Sequence, residues 1–117
     1  MPFDDADSLL EDIHRSIELI EDFVHGMDLS TYRQDAKTQA AVERMMLVIS
    51  EAAIRLKNDA ETLCPDVPWR DIRGIGNWLR HGYDRVDAEV IGDTIRIDLR
   101  PLKISVQRAV ASRRGSA

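Results

Sequence analysis

The sequence predicts an all-α protein, a four- to five-helix up-and-down bundle, and three observations predict it. Apolar residues recur at spacings of three and four along most of the chain, the breaks in that rhythm fall at proline or glycine, and no alternating run is bounded by hairpin turns. Over residues 7–24, Leu9, Leu10, Ile13, Ile17, Ile20 and Val24 keep helical spacing with acids between them, which makes an amphipathic first helix. Gly26, followed by Asp28 and Ser30, breaks it, and residues 30–32 read as a turn or a short helical segment. A second helix spans residues 36–63. Its apolar residues Val42, Met45, Met46, Ile49, Ala52, Ala53 and Leu56 cover more than half the circumference, so burial is expected on two sides, one against the domain's own helices and one against another subunit.

Pro65 and Pro68 end that helix, because neither has an N–H to donate and each pushes the residue before it toward extended geometry. Pro68 suits the first turn of a third helix, expected from Trp69 to Tyr83. A fourth starts near Asp87, which can cap it, and passes Ile91 and Ile95. Pro101 then kinks it or opens a fifth helix carrying Leu102, Ile104, Val106 and Val110. Only residues 94–99 tempt as a strand. The whole reads as one domain over residues 1–112 with a frayed tail at 113–117.

Composition narrows the function. Apolar residues make up 44% and charged residues 32% of the 117 residues, too many hydrophobes for a disordered chain and too many charges for a membrane span. The start is acidic where a signal peptide would be basic, and the single cysteine, Cys64, cannot form an internal disulfide, so a cytoplasmic location is expected. A net charge of −5 argues against coating nucleic acid by charge alone, although the distribution is uneven. Residues 1–30 hold nine acids and one base, whereas 101–117 hold Lys103, Arg108, Arg113 and Arg114 with no acid, either a local basic surface or ordinary solvated helix faces.

The third helix carries the candidate chemistry. Gly74 and Gly76 each cost about 1 kcal/mol against alanine in a helix interior and call for a reason such as close helix contact. Asn77 and His81 fall about 40° apart on one face, and Gly76, Arg80 and Tyr83 form an adjacent row, so the two rows can line one groove. Imidazole moves protons near neutral pH, guanidinium grips a phosphate oxygen, and an amide orients either, a trio suited to phosphodiester chemistry. The alternative for His81 is a helix-packing histidine.

The stretch from Pro68 to Tyr83, PWRDIRGIGNWLRHGY, resembles the signature of HepT-like proteins in the HEPN superfamily: a tryptophan, an arginine-asparagine pair, a histidine four residues after the asparagine and a tyrosine two beyond it. Residues 27–32 with Asp35, Gln39 and Ala41, then Ile49-Ser50-Glu51-Ala52, resemble the family's middle helix; Val86-Asp87 and residues 98–102 resemble its closing helices. The resemblance implies an all-helical homodimer. It implies the toxin of a toxin-antitoxin pair, a metal-independent endoribonuclease without cofactor whose arginine and histidine meet at the dimer cleft, with RNA as substrate and a nucleotidyltransferase antitoxin as partner. It puts Asn77 and His81 in the catalytic signature and Tyr83 at the position the antitoxin modifies by transferring adenosine monophosphate (AMPylation). One departure stands out, since Gly76 occupies the position of the family's arginine. Arg80, one turn onward and about 40° away, or Arg73, a turn earlier and about 60° away, is near enough on the helix to be a candidate for the missing cation. Two outcomes follow, a weakened or rearranged nuclease or a catalytically inactive dimer that still binds a nucleotidyltransferase.

Elsewhere, Glu11, His14 and Glu18 share a helix face in the order that di-iron bundles use, but no second such pair faces them. Glu51, inside the apolar run of the second helix, either pairs with an arginine at the core edge or orients Arg73 or Arg80. Cys64 reads as a packing residue rather than a nucleophile.

Overall fold

The computed structural model describes residues 2–81 and 87–115, and these are helical throughout apart from short joints, with no strand among them. Four long helices carry the bundle: α1 (Pro2–Val24), α3 (Ala36–Leu56), α5 (Trp69–His81) and α7 (Arg100–Gly115). Three short ones, α2 (Leu29–Arg33), α4 (Asn58–Leu63) and α6 (Ala88–Asp93), serve as joints, and a π-helical segment, Thr94–Leu99, leads into α7. α1 packs against α3 and α7, and α3 in turn packs against α5.

α1 and α3 bury the stripes that their spacing marks, whereas on α7 Leu102 and Val106 are buried but Ile104, expected in the same stripe, is 47% exposed. Leu10, Ile13, Ile17 and Ile20 of α1 are sealed against Met46, Ile49 and Ala53 of α3 and Leu102 and Val106 of α7 in one core. Caps define the starts, because the first N–H groups of a helix lack partners inside it. Asp28 accepts from the Thr31 N–H (2.8 Å), Asp35 from Thr38 (3.0 Å) and Asp87 from Glu89 (2.8 Å), the last as the sequence led one to expect.

The single second helix expected over 36–63 is broken at Lys57, whose φ of 52° lies in the left-handed region. Its N–H turns back to the Ile54 carbonyl (3.2 Å), which leaves the Ala53 carbonyl free for a partner from outside α3. Residues 94–99, the one tempting strand, are instead π-helical, with the Arg100 N–H reaching the Ile95 carbonyl five residues back. Pro101 explains the wider turn: it has no N–H for the Ile97 carbonyl, and its ring needs room beside that carbonyl.

α7 also continues through residues 113–115 of the expected tail. There Arg113 meets Asp7 and Arg114 meets Glu11, while Lys103 bonds Glu21 at 2.7 Å, so the basic end of the chain lies along the acidic first helix. The uneven charge of the sequence is thus largely internal pairing rather than a basic surface. On α3, the wide stripe is covered within one chain, since Val42, Met46, Ile49, Ala52, Ala53 and Leu56 are buried and Met45 packs against the same core, so these residues do not call for a second subunit; Ile54, outside the stripe, is 49% exposed.

Tyr32 is buried, its hydroxyl has no hydrogen-bond partner among the described residues, and burial followed by the charge of Glu43 pushes its pKa from 10.0 to about 12. A pKa raised by folding stabilises the native state below the unfolded value and loses that contribution as pH climbs through the folded one. For Tyr32 the loss falls between pH 10 and about 12. Tyr32→Phe is therefore expected to melt at or slightly above the parent's temperature at neutral pH and to lose less stability in the alkaline window. Thermal unfolding followed by circular dichroism at neutral and alkaline pH checks this; equal alkaline losses would contradict it.

Candidate active site on the fifth helix

α5 begins on a fixed support. The Trp69 indole N–H donates to the Cys64 carbonyl at the end of α4 (2.9 Å), and Cys64 itself is buried, its thiol pushed up by burial and facing the Ser105 carbonyl at 3.8 Å, as a packing residue would be. From there Trp69, Ile72, Ile75, Gly76 and Leu79 turn inward at helical spacing. That rotation leaves Asn77, Arg80 and His81 exposed on the outer face of the helix's last two turns, where basic residues also suit the helix dipole. Tyr83 lies outside the described residues.

The two glycines of α5 differ. A Cβ added at Gly74 would meet nothing within 4 Å, so close helix contact does not explain that glycine. Gly76 is buried against α3, and a Cβ there would stand 2.8 Å from Ser50 Oγ, 3.3 Å from Ser50 Cβ and 3.1 Å from Arg80 Nη2. The Arg80 side chain thus folds back one turn, so that its guanidinium lies over position 76.

Ser50 is fully buried, donates its hydroxyl proton to the Arg73 carbonyl (2.9 Å) and accepts from the Gly76 N–H (3.1 Å). Sequence reasoning did not single it out. The available signal was a small hydroxyl residue inside the apolar run of one helix together with an interior glycine on another.

Arg73 points the other way. Its Nε donates to the Ala53 carbonyl left free by the Lys57 break (3.1 Å), and Nη2 donates to the Lys57 carbonyl (2.8 Å). Nη1 and Nη2 meet both oxygens of Glu61 at 3.1 and 2.7 Å, and the guanidinium stands 5.9 Å from the centre of the Trp69 ring. The hydrogen bond to Arg73 is the main reason that the Glu61 carboxyl titrates below its usual range. The four candidate residues therefore divide: Asn77, Arg80 and His81 share the outer end of α5, and Arg73 fastens its middle to the end of α3. Glu51 is exposed and has no ion pair among the described residues; Glu61, which sequence reasoning passed over, is the acid that holds Arg73.

A cavity of about 450 Å³ lies elsewhere, lined by Val24, Met27, Tyr32, Ile91 and Ile95 among others, and contains no residue of α5. The di-iron alternative gains no support from its own residues, for Glu11 is drawn to Arg114 and His14 Nδ1 lies 3.4 Å from Glu18. Among the described residues no three His, Cys, Asp or Glu side chains are grouped as metal ligands would be, and no helix is long and apolar enough to cross a membrane.

Residues 13–109 match the family model described as Ribonuclease HepT-like. "Probable ribonuclease HepT" of Thermococcus cleftensis is 39% identical over 94 residues, covering 80% of this chain and 86% of that protein. "Putative RNase MJ0127" of Methanocaldococcus jannaschii is 35% identical over 95 residues, covering 81% and 78%. No solved structure matches the chain significantly.

Proposed function

The chain belongs to the ribonuclease HepT-like family, and from that premise we propose that it is a metal-independent endoribonuclease, the toxin of a toxin-antitoxin pair, working at the cleft of a homodimer. The observation that carries the reading is the exposed outer end of α5, where Asn77, Arg80 and His81 stand together on a rigidly seated helix. In the proposed reaction His81 takes the proton from an RNA 2′-hydroxyl, whose oxygen attacks the adjacent phosphorus while the bond to the 5′-oxygen breaks. A protonated imidazole returns a proton to that leaving oxygen. Arg80 stabilises the charge that builds on the phosphoryl oxygens, and Asn77 orients the phosphate or the imidazole.

The homodimer draws support from α3, whose exposed Ile54 and half-buried Val48 leave apolar surface for a second copy. The partner proposed is a nucleotidyltransferase antitoxin acting on Tyr83, which follows from family membership alone, and the place of action is the cytoplasm, which follows from the acidic start and the single cysteine. RNA incubated with the purified protein in excess chelator tests the central claim: cleavage to 2′,3′-cyclic phosphate ends is expected. Intact RNA, with partner binding retained, would replace the nuclease by the catalytically inactive dimer.

A further inference from the structure

We infer that Ser50 decides which residue supplies the cation of this site: its buried side chain stands so close to Gly76 that only glycine fits there, and the guanidinium is delivered to that spot by Arg80 from one turn onward. The inference rests on the ribonuclease reading of α5. It starts from the volume next to Gly76, which is filled twice over. Ser50 Oγ would stand 2.8 Å from a Cβ at 76, a distance that such atoms do not tolerate, and Arg80 Nη2 would stand at 3.1 Å.

Ser50 cannot easily give way. It is 0% exposed, and its hydroxyl is held at both ends by the backbone of α5, through the Arg73 carbonyl and the Gly76 N–H. Displacing it would leave buried polar groups to find new partners. Arg80, by contrast, lies on the open face and has a long side chain free to fold over the bare glycine backbone. The glycine at the arginine position of the signature is then one half of a matched pair with Ser50. The cation of the site has been moved along the helix rather than lost.

The pair predicts a rescue with a required order. Arg80→Gln should lower kcat for RNA cleavage by about 10²–10³, as loss of one charge-stabilising donor does. Adding Gly76→Arg to it should restore nothing while Ser50 is present, and adding Ser50→Gly as a third change should bring kcat back to within about tenfold of the parent. Full recovery without Ser50→Gly, or a triple variant as slow as Arg80→Gln, overturns the inference.

A thermal-unfolding cycle covers variants that fold poorly and does not depend on catalysis. Gly76→Ala should lower the melting temperature by about 4 °C or more beside Ser50, yet leave it level or raise it beside Ser50→Gly, where alanine's helix preference is felt. Equal shifts in both backgrounds refute the packing. A parent protein that cleaves no RNA refutes the ribonuclease reading and any role of Ser50 in it, while the cycle separately decides whether Ser50 and Gly76 are coupled.

Discussion

His81→Ala is expected to slow RNA cleavage by about 10²–10⁴ and to leave the melting temperature within about 3 °C of the parent. The imidazole is exposed at the last residue of α5, no described hydrogen bond or ion pair uses it, and its removal leaves the buried stripe of the helix intact. Proton transfer is what it supplies in the proposed reaction, so the loss should appear in kcat, with KM little changed. Single-turnover cleavage of a labelled RNA beside a thermal melt of the same preparation measures both. A variant as active as the parent would remove His81 from the reaction and with it the proposed mechanism.

Arg73→Ala should do the reverse, lowering stability by about 2 kcal/mol, or roughly 8 °C in melting temperature, while Arg80→Ala should cost activity and little stability. The asymmetry follows from what each guanidinium touches. Arg73 satisfies the Ala53 and Lys57 carbonyls at the broken end of α3 and bridges both oxygens of Glu61, with its side chain 28% exposed. Arg73→Lys should recover only part of the loss, since an ammonium cannot present the fork that reaches two carbonyls and a carboxylate together. Melting curves of the three variants, compared with their cleavage rates, separate the roles. An Arg73→Ala protein that melts like the parent but fails to cleave would return Arg73 to the reacting centre.

What the sequence reveals of this protein depends on how local the determinants are. Helical spacing identified the buried stripes of α1 and α3, and part of that of α7, because that signal lies within a turn or two of each residue. It put Asn77 and His81 on one face and Gly76 and Arg80 on an adjacent row, of which Asn77, Arg80 and His81 are exposed and Gly76 is buried. The break at Lys57 was not visible, for it is closed by Arg73, sixteen residues away, and no proline or glycine marks it. The π segment was misleading for a related reason: Ile95, Ile97 and Leu99 alternate as a strand would, and only Pro101 hints at a widened helix. The expectation that Arg73 could stand in for the missing cation came from angles on an isolated helix, which say nothing of the carbonyls on α3 that claim it. Ser50 was named only within the stretch that resembles the family's middle helix, and its contact with Gly76 was not legible because it exists only where two helices touch.

The bonds that seat α5 on α3 and its capping Lys57 join residues 16 to 26 apart, whereas the ion pairs that tie α7 to α1 join residues 82 to 106 apart. Closing a long chain segment costs more entropy than closing a short one, and contacts between distant residues slow folding. The hairpin that carries Ser50, Arg80 and His81 can therefore nucleate early, before the outer clasp between the first and last described helices has formed.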